Sequence, residues 1–381
     1  MIQKHRYTRR IQVLLVLTLC SHVGFAQSCD PLTLESISDP GMFTVATLTE
    51  ANGIRNGPAY SGATIYYPTN ATPPYPSIVI VPGFVSAQST IQAWGPFLAS
   101  HGIVTMTIGT NSLGDFPPAR RNALLDAIIT ITEENSRTGS PLNGQIDTES
   151  FAVSGWSMGG GGAQLAAAAD PSLKAVVALC PWLDTQTPAS AIAHAVPLLI
   201  LSAEADGTAP PASHADVHYD NTPATTNKLI FEIDNGGHNV ANTPSGGQGY
   251  AGKIALSWLK YYLVGDSCYC PLLLDAPSTA SRYVTNVVCS SITTSLNELS
   301  VDNEPAIQLY PNPSSGTINL DVDIIGEGTT YEIMSLAGAR ISSGSLSSQL
   351  TTIDIKDLSS GVYLMQVVTP QSSVRSKFIV N

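Results

Sequence analysis

The chain has 381 residues, 43% hydrophobic and only 12% charged, which is enough for one large folded domain and a small one. A formal charge of −12 repels nucleic acid and excludes that class of partner. Past the first residues no apolar run is long enough to cross a bilayer, so no transmembrane segment is expected.

Lys4, Arg6, Arg9 and Arg10 precede the apolar run 11–19, and Gly24-Phe25-Ala26 ends on a small residue. This is the pattern of a secretory signal over 1–26. Cys20 does not read as a lipidation site, because Leu19 before it is too bulky. Removing the signal takes away four positive charges and no negative one, leaving a formal charge of about −16. Export implies an oxidising compartment, where Cys29, Cys268, Cys270 and Cys289 are disulfide candidates. Cys268 and Cys270 are too close in sequence to be partners of each other. One is therefore expected to join Cys289 and the other Cys29. Cys180 ends the apolar run 176–179 and reads as a buried free thiol. Two cysteines at C-x-C spacing without a nearby histidine argue against a zinc site.

β-Branched or alternating content predicts strands over 43–48 and 63–67, followed by a Pro-rich turn over 70–76. Ser77-Ile78-Val79-Ile80-Val81 is continuously apolar, as a strand buried on both faces must be. Ile91, Trp94 and Leu98 predict a helix over 88–98, and 103–108 is a second buried strand. Leu124, Leu125, Ile128 and Ile129 mark the apolar face of an amphipathic helix over 120–131. Further strands are expected over 151–154, 175–179, 197–201 and 228–232, and helices over 160–169 and 250–262. Strands alternating with helices imply an α/β-hydrolase fold, a mostly parallel twisted sheet with helices on both faces.

After Cys289 the composition turns to Ser, Thr and Asn, a linker over 291–305. From 306 to 381, short segments such as Thr317-Ile318-Asn319-Leu320, Tyr331-Glu332-Ile333, Thr352-Ile353-Asp354-Ile355, Val362-Tyr363-Leu364-Met365 and Lys377-Phe378-Ile379-Val380 alternate with Gly and Ser turns. They predict a small cysteine-free β-sandwich with no helix. The division expected is a signal (1–26), an α/β-hydrolase catalytic domain (27–290), a linker (291–305) and a C-terminal β-sandwich (306–381).

Gly155-Trp156-Ser157-Met158-Gly159 lies directly between a predicted strand and a predicted helix, the context in which a G-x-S-x-G serine sits exposed on a sharp turn. Ser157 is the candidate nucleophile. A serine hydroxyl needs a base, and the base needs an orienting acid, expected in the order acid then histidine on loops after later strands. Asp206 follows 197–201 and His238 follows 228–232, so both fit. His194 precedes its strand, and His214 and His218 lie in a helical stretch after Pro210, so all three read as structural or surface histidines. Among the acids, Glu204 is the alternative to Asp206, which stands at the loop apex before Gly207, and Asp234 is too near the histidine loop. Two backbone donors for an oxyanion are expected from Met158, after the nucleophile, and from Phe84, after the buried strand 77–81.

Val81-Pro82-Gly83-Phe84, Trp94-Gly95-Pro96, Ser100-His101-Gly102, Thr110-Asn111-Ser112, the run from Gly155 to Gly162, Pro181-Trp182 and Glu204-Ala205-Asp206 through Pro210 together resemble the bacterial polyester-hydrolysing cutinases, the group that contains poly(ethylene terephthalate) hydrolases. The resemblance spans about residues 40–290. It implies cleavage of carboxylic esters in polyesters through an acyl-enzyme, with Ser157, Asp206 and His238 as triad and Phe84 and Met158 as oxyanion donors. It also implies that Phe84, Gln88, Trp156, Trp182 and Thr208 line the substrate cleft, with Trp182 flanking an aromatic ring. No metal or organic cofactor is implied. Many relatives carry tyrosine where Phe84 stands, and Ala203 and Asn239 stand where some have an additional disulfide. A lipase or general carboxylesterase, and a non-catalytic surface-binding protein, are the alternative readings.

In the tail, Leu309-Tyr310-Pro311-Asn312-Pro313, Gly316, Leu336-Ala337-Gly338, the run from Asp357 to Tyr363 and the terminal Lys377-Phe378-Ile379-Val380 resemble the C-terminal sorting domain of the type IX secretion system. The resemblance implies that the secretion machinery is a partner and that the protein reaches the cell surface or the medium. An adhesive or carbohydrate-binding module is the alternative, disfavoured because only Tyr331 and Tyr363 are aromatic between Pro313 and Phe378.

Overall fold

The computed structural model describes Cys29 and residues 32–289, Thr185 apart, and residues 307–381 apart from 324, 327, 336–339 and 370–372. The expected signal segment and linker lie outside the described residues. The chain divides into two units, Met1–Ile292 and Thr293–Asn381.

The first unit is built on a nine-stranded sheet in the order β1-β2-β4-β3-β5-β6-β7-β8-β9. Its strands are β1 (Val45–Thr49), β2 (Ala63–Pro68), β3 (Tyr75–Val81), β4 (Val104–Ile108), β5 (Ile146–Trp156), β6 (Ala175–Leu179), β7 (Leu198–Ala203), β8 (Lys228–Ile233) and β9 (Ala280–Thr285). From β4 through β8 every neighbour is parallel, while β1, β2 and β9 are antiparallel additions at the two edges. Alternation along each central strand divides the core in two. Ile78 and Ile80 of β3, with Leu199 and Leu201 of β7, pack under α1 (Trp94–Ser100) and α5 (Tyr250–Leu259). Val79 and Val81, with Leu198 and Ile200, pack under α2 (Pro117–Glu134), α3 (Met158–Ala169) and α4 (Ala215–Asn221). A strand apolar at every position is thus one with a helix layer on each side.

Several elements differ from the expectation, among them β5, which begins before the expected 151–154, and β9, which was not expected. The helix expected over 88–98 is a single 3-10 turn, Gln88–Thr90, and then α1. The first strand starts two residues late. α2 begins earlier, with Pro117 and Pro118 in its first turn, where a missing N–H costs nothing. Its buried stripe is Arg120, Ala123, Leu124, Ala127 and Ile131, whereas Ile129 is exposed. The reason is its neighbour: α2 lies against the glycine-rich start of α3, so short side chains and one buried arginine face inward.

Cys29 is bonded to Cys268 and Cys270 to Cys289, while Cys180 is a buried free thiol. The first bridge joins residues 239 apart in sequence, a long loop closure that strongly restricts the unfolded chain.

In the second unit, β10 (Ile307–Tyr310), β11 (Thr317–Val322) and β14 (Leu350–Asp354) form one antiparallel sheet. A second contains β12 (Thr330–Ser335), β13 (Arg340–Ser345), β15 (Gly361–Val368) and β16 (Ser373–Val380). Ile318, Leu320 and Ile353 from the first meet Ile333, Met365, Val367 and Phe378 from the second, which makes the unit a sandwich. No helix among the described residues of the chain is long and apolar enough to cross a membrane.

Candidate active site

Parallel strands bring their carboxyl ends to one edge, and there the candidate residues meet. β3 runs into Pro82-Gly83-Phe84, β5 into Ser157, β6 into Cys180 and Trp182, β7 into Asp206 and β8 into His238.

Ser157 joins β5 to α3 with φ +58° and ψ −121°, a left-handed region that costs an L-residue about 1–2 kcal/mol. Its N–H donates to the Leu179 carbonyl at 2.8 Å, and its own carbonyl accepts from Trp182 N–H at 2.9 Å and Gly161 N–H at 3.1 Å. The turn closes because its flanks are glycine. A Cβ on Gly155 would fall on the Gly159 backbone, and one on Gly159 would fall on the Val81 and Pro82 carbonyls.

His238 Nε2 lies 2.9 Å from Ser157 Oγ, and Nδ1 lies 2.7 Å from Asp206 Oδ2. With Nδ1–H donating to the carboxylate, Nε2 is left to accept the serine proton. The other Asp206 oxygen accepts from Thr208 N–H at 2.9 Å and Ala209 N–H at 2.8 Å. Burial pushes the Asp206 carboxyl up. The hydrogen bond from His238 and those two amides outweigh it, so the group titrates below the usual carboxylate range. Trp156 buries its indole and donates Nε1–H to the His238 carbonyl at 2.8 Å, with the two rings 5.0 Å apart.

The competing groups stand outside this contact. Glu204 accepts from Asn235 N–H at 2.9 Å and so braces the histidine loop. His194 is buried before β7, where burial holds it down to about 4. His218, on α4, is held down to about 3 by burial and then by His214, and its Nδ1 accepts from Gln164 Nε2–H at 3.1 Å. His214 is also buried but sits at the cleft, its ring 5.7 Å from Trp182.

Met158 is the first residue of α3, where N–H groups lack an intrahelical acceptor. Phe84 is 47% exposed and Trp182 half-buried. Phe116, 55% exposed, stands between them, its ring 6.2 Å from Phe84 and 6.4 Å from Trp182. Thr208 is exposed on the Asp206 loop. Gln88 turns its amide nitrogen to Thr107 O at 2.8 Å, Thr107 Oγ1 at 2.9 Å and Thr64 Oγ1 at 3.1 Å, which ties it to β2 and β4.

Sequence reasoning missed Phe116, and it set His214 aside. A signal for the first existed: Phe116 occupies the N-cap of α2, a position that favours short polar side chains, so an aromatic there is out of place for the helix. No comparable signal marks His214, because its place beside Trp182 depends on how two loops fold together.

Two family profiles match the chain: PET hydrolase-like over residues 25–290, and secretion system C-terminal sorting domain over residues 308–381. Among curated proteins, a bis(hydroxyethyl) terephthalate hydrolase of Streptomyces coelicolor is 39% identical over 222 residues, 56% of this chain and 67% of its own length. Cutinase 2 of Thermobifida cellulosilytica is 35% identical over 221 residues, 57% of this chain and 79% of its own length. Cutinase est1 of Thermobifida alba is 35% identical over 226 residues, 58% of this chain and 71% of its own length.

Proposed function

Since the chain belongs to the PET hydrolase-like family, we propose that Ser157, Asp206 and His238 are the nucleophile, orienting acid and general base with which it hydrolyses polyesters such as poly(ethylene terephthalate). The protein is a secreted carboxylic ester hydrolase with a C-terminal sorting domain. The observation that carries the catalytic assignment is the relay in which His238 touches Ser157 Oγ with one nitrogen and Asp206 with the other.

The reaction follows from that geometry. Ser157 Oγ attacks the ester carbonyl as His238 Nε2 takes its proton, and Asp206 stabilises the imidazolium that forms. Negative charge developing on the carbonyl oxygen meets the Phe84 and Met158 N–H groups, each fixed before the reaction begins. His238 then protonates the leaving alcohol, and a water, deprotonated by the same imidazole, releases the acyl group from Ser157. Phe84, Phe116 and Trp182 flank the acyl moiety as an aromatic cup, Trp156 steadies His238, and Thr208 with Gln88 completes the wall.

We assign residues 27–290 to the catalytic domain and 306–381 to the domain that engages the type IX export machinery. The test of function is release of aromatic acid from an amorphous poly(ethylene terephthalate) film by the parent and by Ser157→Ala. The parent releases product and the variant none. Cleavage of a soluble nitrophenyl ester with an intact film would reduce the assignment to a general carboxylesterase.

A further inference from the structure

A cation buried near the site belongs to a residue that takes no part in the proton relay. Arg120, on α2, is fully buried, and all three acceptors of its guanidinium are main-chain carbonyls: Nη1–H to Pro82 at 2.7 Å, Nε–H to Asp115 at 2.9 Å and Nη2–H to Leu113 at 3.3 Å. Burial pulls the group down to about 10, with the Asp115 charge working in the opposite direction. A buried cation held without a carboxylate partner is a poor device for stability, since its desolvation cost exceeds what carbonyls return.

One of its three contacts is on the loop that carries Phe84, and the other two are on the 113–115 loop beside it. The Pro82 carbonyl lies two residues before Phe84. One residue after it, Val85 N–H donates at 2.8 Å to the Leu113 carbonyl that Arg120 also holds. Val85 is left-handed, with φ +52°, so this loop is under strain and returns to an ordinary conformation unless both sides are held. On the far side of Pro82 stands α3, where a Cβ on Gly159 would strike the Pro82 carbonyl. The same helix makes room for the arginine: a Cβ on Gly162 would lie 2.8 Å from Arg120 Cβ. The Pro82 carbonyl is therefore clamped between the helix that begins at Met158 and the guanidinium of Arg120.

We propose that Arg120 is a positioning residue that sets the direction of the Phe84 N–H, and its distance from the Met158 N–H, by clipping the 82–85 loop to the 113–115 loop. This role rests on the ester-hydrolase reading above. The planar fork of Arg120 is what the role requires, because a lysine ammonium reaches one carbonyl and releases the other two. The contribution appears only when the oxyanion forms, so it belongs in kcat and not in substrate affinity.

The experiment measures kcat and KM on a soluble nitrophenyl ester, the potency of a boronic acid that forms the tetrahedral adduct, and the melting temperature, for the full chain and for Arg120→Met, Arg120→Lys and Arg55→Met. Arg55 is the control, an arginine that braces α2 away from the site by donating to Asp126 and Thr130. Both Arg120 variants are expected to lose about 30-fold in kcat, with KM within about threefold and boronate potency falling in parallel. Arg55→Met lowers the melting temperature with kcat within about twofold. The proposal is overturned if Arg120→Lys keeps the parent kcat, if the losses fall in KM, or if both Arg120 variants fail to fold, since a residue required by the whole fold is not a positioning one. An inactive parent would instead remove the ester-hydrolase reading.

Discussion

At Ser157 the backbone stores about 1–2 kcal/mol of conformational strain, and three hydrogen bonds from β6, α3 and the Trp182 turn keep it there. That arrangement separates two tasks: the chain holds the hydroxyl outward, and in the proposed mechanism His238, oriented by Asp206, activates it. Phe116 illustrates a third task, recognition. Exposed, and within 6.4 Å of both Phe84 and Trp182, it offers an aryl acyl group a further ring edge, worth about 0.5–1.5 kcal/mol. Phe116→Ala is therefore expected to lower kcat/KM for bis(hydroxyethyl) terephthalate about tenfold while changing that for nitrophenyl butyrate less than twofold. Equal losses on both esters would show that the ring supports the loop and does not read the substrate.

Among the elements, α4 and the segment before β7 carry a pH dependence in their buried histidines. His194 and His218 are held down to about 4 and about 3, in both cases first by burial. Above pH about 6.5 both are neutral folded or unfolded and contribute nothing to the pH dependence. Below it the unfolded chain takes up protons that the folded protein refuses, so stability falls as pH falls. The slope is about 1.4 kcal/mol per pH unit for each histidine, down to its folded value. Chemical denaturation between pH 7 and 5 should show this slope, flattened in the His194→Gln, His218→Gln double variant. A slope unchanged by the two substitutions would place the acid sensitivity elsewhere. The same elements show what a sequence conveys. β3, β6 and β7 are legible because two helix layers leave almost every position apolar, and the serine turn is legible because its glycines are forced by contact. β13 and β9 are not. The residues of β13 are exposed or nearly so, and β9 (ASRYVT) is a mixed-polarity edge strand, so neither carries an alternating pattern. The stripe of α2 misleads for a related reason: a buried arginine reads as solvent-facing until its three carbonyls are in place.

For the whole molecule, the topology does most of the functional work. Five successive parallel pairings from β4 to β8 point their carboxyl ends the same way, which is why groups as far apart in sequence as Phe84 and His238 come to one edge of the sheet. The contact of Ser157, His238 and Asp206 was legible because the order of the three and their loops follow from that topology, and the disulfide choice was not, because spacing alone left Cys268 and Cys270 equivalent. Two bridges tie Cys29 and Cys289 to the segment after α5 within the first unit, in keeping with a protein that works outside the cell. The second unit, a cysteine-free sandwich, matches a sorting domain. In the proposed mechanism an acyl group passes through Ser157. The most direct measurement is acid quenching of the full chain during turnover of a terephthalate ester, followed by digestion and mass spectrometry of the peptide containing residues 155–159. A terephthaloyl adduct on Ser157, absent from Ser157→Ala, is the predicted result. Hydrolysis that persists in Ser157→Ala, or an adduct on another residue, would contradict it.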